Sequence, residues 1–229
     1  MINFKKYGKR CLSLFLAASM ILMPSVQTFA EEETAAATTD STQTAEEDRE
    51  TQRQNCYAIV PDSNSVENWP QGPATYADSA IVMDMNSGAV LYSKQIEKKH
   101  YPASITKLLT TLVALDNAEL TDTVEFSQDS ISFLEYGDAH IGMTPGEQIS
   151  MEDALYAVLL ASANEVSYAV AESVGKKMGG GYDTFIQAMN DESEKLGCTG
   201  SHWTNANGLH DEQHYTTCLL YTSDAADDK

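Results

Sequence analysis

Pro102-Ala103-Ser104-Ile105-Thr106-Lys107-Leu108-Leu109-Thr110 is the stretch on which the reading of this chain turns. Leu108, Leu109, Leu112, Val113 and Leu115 fall at helical spacing and predict a helix from Ser104 to about Asp116 with a broad apolar face. Ser104 then occupies the first turn, where unpaired backbone N–H groups and the positive end of the helix dipole converge. Lys107, three residues on, lies on the same face one turn away. Its amine can hydrogen-bond the serine hydroxyl and take its proton. A serine hydroxyl needs such a neighbour, because it is a weak nucleophile by itself. The same pattern also suits an N-capping serine and a solvated lysine, so the surrounding chain must decide between the two.

Upstream, Ser79–Met85 reads as a strand, Asn86-Ser87-Gly88 as a turn and Ala89–Ser93 as the returning partner, a β-hairpin. Downstream, Val124–Ser127 fits a short strand, and Gly142–Gln148 is turn-like around Pro145-Gly146. Ser150-Met151-Glu152-Asp153 has the form of a capping box opening a helix that carries Leu155, Val158 and Leu159. Ser162-Ala163-Asn164 breaks that helix, and another runs from about Glu165 to Lys177, ended by Gly179-Gly180-Gly181. An amphipathic helix from Tyr182 to Leu196 presents Phe185, Ile186, Met189 and Leu196 and stops at Gly197. Trp203–His214 reads as an irregular loop. Strands in front and helices behind make the class α+β.

The ends of the chain have a different character. Residues 1–30 combine a basic start (Lys5, Lys6, Lys9, Arg10), an apolar run from Cys11 to Met23, and Thr28-Phe29-Ala30 as a small-residue cleavage site. This is the pattern of a signal peptide and of an exported protein. Residues 31–55, rich in Glu, Thr, Ala and Gln, read as a disordered acidic linker. The tail from Cys218 to Asp227 matches, residue by residue, the in-frame translation of a transposon-end adapter used in DNA library preparation. Native sequence is therefore expected to end near Thr217, with 218–229 as read-through. Residues 31–217 carry nine basic and 31 acidic side chains, a net charge of −22, which argues against nucleic acid as a partner and against electrostatic docking on anionic membranes. Cys56 and Cys198 remain once signal and tail are set aside. Export permits a disulfide between them, and the sequence does not decide whether they pair.

Beyond the helix itself, the run Pro102–Thr110 resembles the first motif of the D-alanyl-D-alanine carboxypeptidases, the low-molecular-mass penicillin-binding proteins. Leu159-Leu160-Ala161-Ser162-Ala163-Asn164-Glu165 is similar to their second motif, S-x-N. Ala80–Ser93 resembles their opening hairpin, and Asn205-Ala206-Asn207-Gly208-Leu209-His210-Asp211 resembles the loop ahead of their third motif. The resemblance implies a partial penicillin-binding/β-lactamase-like transpeptidase domain over 56–217, a helical cluster against an antiparallel sheet missing its later strands. It implies that Ser104 attacks the carbonyl between two D-alanines of a peptidoglycan stem peptide, with Lys107 as general base. Ser162 would relay a proton to the leaving D-alanine, and Asn164 would hydrogen-bond the substrate backbone. β-Lactams are the implied covalent inhibitors, no cofactor or metal is implied, and membrane association would come only through a missing C-terminal part.

The sequence departs from the family pattern at the third motif: no Lys-Thr-Gly or Lys-Ser-Gly occurs in the 229 residues. That strand binds the substrate carboxylate and completes the oxyanion hole, so the chain as written is expected to have an incomplete site. Two other readings stay open, a class A-like serine β-lactamase and a non-catalytic peptidoglycan-binding module. Against the first, the second motif is Ser-Ala-Asn, and Glu192 and Glu194 fall on a polar helix face. Against the second stands the intact Ser104/Lys107 pair. His210 and His214, four apart in a loop, do not form H-E-x-x-H and give no metal site.

Overall fold

The computed structural model describes residues 32–62, 68–84 and 86–218. The expected signal peptide, 1–30, and residues 219–229 of the expected read-through lie outside the described residues. Of the described residues, those up to Arg49 and those from Glu50 onward fall in separate units, and the hairpin, the core and the site belong to the second.

Where the sequence predicts a disordered linker, the chain is helical from Glu32 to Ala58 (α1). Composition accounts for the difference, since Ala, Glu, Gln and Arg are good helix formers. Glu50 adds pairs along the helix with Arg53 at 3.5 Å and Gln54 at 2.7 Å. Residues 45–55 remain exposed, so this part of the helix buries little. Its last turn meets the rest of the chain through Tyr57 against Tyr76, ring centroids 4.6 Å apart. Cys56, in that turn, and Cys198, just beyond the last helix, form no disulfide with each other.

The expected hairpin pairs β1 (Ala80–Met83) with β2 (Val90–Lys94), antiparallel, with a bulge between Val82 and Met83. Lys94 ends β2 fully buried. Its amino group donates to the carbonyls of Cys56 at 2.6 Å, Thr75 at 2.8 Å and Ala77 at 2.6 Å. Three donors meet three acceptors, so one side chain stitches the α1 end and the segment before β1 to the hairpin. Lys94→Met keeps the stem but strands three carbonyls, and unsatisfied buried polar groups are costly. We expect the unfolding free energy in urea to fall by about 2–4 kcal/mol.

After a 3₁₀ turn at Ala103–Ile105 comes α2 (Thr106–Asn117), then β3 (Thr123–Glu125), a one-turn α3 (Asp129–Ser132), β4 (Gln148–Ser150), α4 (Met151–Leu160), α5 (Asn164–Lys177) and α6 (Tyr182–Lys195). β3 and β4 pair antiparallel, with Val124 opposite Ile149. The cap expected at Ser150 is present: its hydroxyl accepts from the Asp153 N–H at 3.1 Å and donates to the Asp153 carboxylate at 2.7 Å. Val166, Val170 and Val174 recur every four residues on α5 and form the spine of the core. Leu109 and Val113 of α2, Leu155 and Val158 of α4, and Phe185 and Met189 of α6 pack into the same core.

The broad apolar face predicted for α2 is corrected by the structure. Leu109, Val113 and Ala114 are buried, whereas Leu108 and Leu115 stay 44% and 49% exposed. The buried stripe includes Thr106, Lys107 and Thr110, whose polar atoms all find partners. Ile105, Leu108 and Leu115 form a second apolar flank that the described residues leave open. Alongside it runs a groove of about 550 Å³ lined by Ile81, His100, Tyr101, Ile105 and Thr216 among others.

The irregular loop 203–214 is closed at its base by His202 and Tyr215, which exchange backbone hydrogen bonds of 2.8 and 3.0 Å. Its compactness lets it act as a unit against α2.

Candidate active site

Ser104 sits in the 3₁₀ turn behind Pro102, and the residue before it, Ala103, has φ +49°. A left-handed alanine costs about 1–2 kcal/mol and persists only where its surroundings fix it. Gly208 supplies part of that fixing. A Cβ on Gly208 would lie 1.8 Å from the Ala103 carbonyl oxygen and 3.0 Å from the Ser104 nitrogen, so the loop backbone can press on this peptide only without a side chain.

Lys107 is 2% exposed, one turn beyond Ser104. Its Nζ donates to Ser104 Oγ at 3.3 Å, to Asn164 Oδ1 at 2.8 Å and to the Asn207 carbonyl at 2.6 Å. Burial pulls its pKa down from 10.5 to about 8, with the negative charges of Asp138 and Glu165 opposing the shift. At neutral pH about one amine in ten is therefore uncharged, a usable fraction for a general base.

The α4–α5 junction brings the second motif to the same place. Ser162 has φ +53°, a second strained non-glycine residue, and its hydroxyl donates to Ser104 Oγ at 3.0 Å. Asn164 opens α5, and its backbone N–H donates to the Ala139 carbonyl at 2.8 Å while its Oδ1 receives Lys107. The four residues picked out in the sequence, Ser104, Lys107, Ser162 and Asn164, thus form one hydrogen-bonded cluster drawn from the 3₁₀ turn, α2, the α4–α5 break and α5. Acid–base traffic between two hydroxyls and an amine is what such a cluster can support.

Three contributors had no sequence signal strong enough to find them. Glu165 is fully buried, its Oε1 accepts the Ile141 N–H at 2.7 Å, and its Oε2 has no hydrogen-bond partner. Together with the Asn164 N–H it holds residues 139–141 at the edge of the cluster. The Asn207 carbonyl is backbone and leaves no residue-type signature, although it falls within the Asn205–Asp211 stretch. His214, considered in the sequence only as a metal ligand, is instead buried and bonded to Thr106 and Thr204. Its companion His210 lies edge-on to Tyr101, centroids 4.6 Å apart. Among the described residues no group of three or more His, Cys, Asp or Glu is placed to hold a metal ion.

The mixed α+β frame, with a serine ahead of a buried lysine and a Ser-x-Asn turn facing both, defines a penicillin-binding, transpeptidase-like domain over part of its length. A sequence profile described as D-alanyl-D-alanine carboxypeptidase matches residues 66–223, and the chain belongs to that family. Among curated relatives, D-alanyl-D-alanine carboxypeptidase DacF of Bacillus subtilis is 32% identical over 146 residues, 62% of this chain and 36% of the relative. The solved D-alanyl-D-alanine carboxypeptidase of Mycobacterium tuberculosis H37Rv superposes with TM-score 0.57 at 30% identity, covering 73% of this chain and 60% of that one. Penicillin binding protein 5 of Haemophilus influenzae, at 24% identity and TM-score 0.62, shares the fold over 69% of this chain and 46% of its own. The chain spans 36–44% of the length of the curated relatives it matches.

Proposed function

We propose that this chain carries the acylating part of a serine-type D-Ala-D-Ala carboxypeptidase, which removes the terminal D-alanine from peptidoglycan stem peptides outside the cytoplasm. The observation that carries the reading is the buried Lys107 amine, its pKa drawn down to about 8, in contact with Ser104 Oγ. Uncharged Lys107 takes the Ser104 proton as Oγ attacks the carbonyl between the two D-alanines. The Ser104 N–H, freed of helical partners at the turn, faces the developing oxyanion. Ser162, 3.0 Å from the attacking oxygen, gives its proton to the departing D-alanine amine as the C–N bond breaks. It is reprotonated with the proton that Lys107 took from Ser104, which leaves Lys107 uncharged again. Asn164, its Oδ1 held by Lys107, turns its amide to the substrate backbone. Water then hydrolyses the Ser104 ester, returning the serine and releasing the shortened stem peptide. β-Lactams, which imitate the D-Ala-D-Ala unit, acylate the same oxygen.

The test uses the reading frame amplified from source DNA across the Thr217 codon, beside the 229-residue chain. Both are incubated with a fluorescent penicillin and examined by intact mass and peptide mapping. A long-lived adduct on Ser104 of the locus product is expected. Rapid turnover of the penicillin without a persistent adduct would identify a β-lactamase instead, and neither adduct nor turnover would leave a binding module. The 229-residue chain contains no Lys-Thr-Gly or Lys-Ser-Gly strand. Loss of one oxyanion donor costs about 10²–10³ in rate, so a product whose frame does bring such a strand is expected to be acylated faster than the 229-residue chain by at least that factor.

A further inference from the structure

We propose that His214 is a positioning residue for the nucleophile turn: its neutral imidazole ties loop 203–214 to Thr106, between Ser104 and Lys107, and so sets the geometry of the Ser104/Lys107 pair. The inference rests on the reading of Ser104 as the acylated nucleophile.

The loop meets the start of α2 at four points. Gly208 lies against the Ala103–Ser104 peptide, the Asn207 carbonyl accepts from Lys107, the Ala206 carbonyl accepts from Thr110 Oγ1 at 2.8 Å, and His214 Nε2 lies 2.7 Å from Thr106 Oγ1. The first three contacts use loop backbone. His214 makes the fourth with a side chain, so it alone can be altered without moving the loop's peptide groups. Thr106 is fully buried and His214 2% exposed, so bulk water cannot substitute for either partner.

The hydrogen bonds also fix the tautomer. The Thr204 N–H donates to Nδ1 at 3.0 Å, so Nδ1 carries a lone pair and the ring proton resides on Nε2, donating to Thr106. Trp203 packs edge-on to the ring, centroids 5.4 Å apart. Asp211 and His202 are the charged or titratable neighbours in the loop, and Lys107 is the titratable group of the α2 turn. Burial holds the ring neutral, its pKa drawn down to about 4, and this outweighs the attraction of Asp211. A ring that stays neutral keeps one tautomer, and therefore one donor, throughout the pH range in which Lys107 works.

Side-chain geometry makes the test specific. In His214→Gln the amide N–H reaches the place of Nε2, whereas in His214→Asn the amide reaches only the place of Nδ1. Thr106→Val removes the acceptor, and Thr106→Ser restores it. Expected are acylation rates of Ser104 slowed by about 10–100-fold in His214→Asn and Thr106→Val, no further loss in the double variant, and rates near wild type in His214→Gln and Thr106→Ser. Equal losses in Asn and Gln variants, or additive losses in the double variant, would overturn the proposal. Two readouts do not depend on acylation and are made on the 229-residue chain. Nitrogen-15 spectra should show His214 as the Nε2–H tautomer from pH 5 to 8. Amide exchange of residues 104–107 should quicken in His214→Asn while that of α5 and α6 stays unchanged. An Nδ1–H tautomer, or exchange that quickens everywhere together, would refute the positioning role. If wild-type locus product is never acylated but these two signatures appear, it is the carboxypeptidase reading that fails and the His214 link that stands.

Discussion

Ser104→Ala is expected to abolish covalent labelling by a fluorescent penicillin, with no residual slow phase, while the protein remains folded. On the proposed mechanism, alanine removes the hydroxyl that forms the ester. Ser162 is not a substitute: the Lys107 amine reaches Ser104 Oγ at 3.3 Å, and the Ser162 hydroxyl itself donates to that same oxygen. Folding should survive because Ser104 is exposed and the contacts that hold its turn, Gly208 on the Ala103 peptide and His214 on Thr106, do not use its hydroxyl. The change in unfolding free energy should stay within about 0.5–1 kcal/mol, the range for an exposed substitution away from caps and core. Retained binding of an acyl-D-Ala-D-Ala peptide by the variant, read by calorimetry, would separate loss of the nucleophile from loss of the site. Persistent labelling of the alanine variant would place the nucleophile elsewhere.

What the sequence discloses follows from how local each relation is. Ser104 and Lys107 can be paired from spacing alone, because a helix places residues three apart on one face, and the hairpin and the Ser150 cap are equally local. The meeting of Ser162 and Asn164 with that pair is a contact between residues 58 and 57 positions apart, and spacing is silent about it. The family resemblance supplied it. The Asn207 carbonyl and the close approach of Gly208 are properties of the backbone, which every residue type shares. The exposure of Leu108 and Leu115 was hidden for another reason. Periodicity shows that a helix has apolar flanks, but it does not show which flank a neighbour covers. The short β4 and α3, of three and four residues, carry too few positions for any period to register. His214 illustrates the converse. A histidine pair invites a metal reading, yet burial and two hydrogen bonds turn this one into a neutral strut.

Lys107→Met should reduce acylation of the locus product by about 10³–10⁴-fold, the upper range for losing a positioned general base. Two effects oppose each other in stability. The variant strands the Asn164 and Asn207 oxygens but also removes an amine whose charged form is disfavoured by burial, so the net change should be small, about 1–2 kcal/mol in either direction. The pH dependence gives the sharper check. On the proposed mechanism the uncharged amine is the competent form, and burial brings its pKa to about 8. Acylation should therefore rise about tenfold per pH unit below 8 and level above it. Stability should respond in the window above, between about 8 and 10.5: the unfolded chain holds the Lys107 proton up to 10.5 while the folded chain releases it near 8. Between those values the unfolded state binds more protons, so wild type gains stability relative to Lys107→Met as pH rises. Glu165 provides the control on cause. Its charge raises the Lys107 pKa, and Glu165→Gln keeps a carbonyl oxygen for the Ile141 N–H while removing that charge. The acylation profile of Glu165→Gln should shift to lower pH with its plateau preserved. A profile that does not move, or that moves upward, would show that Lys107 is not the group being titrated.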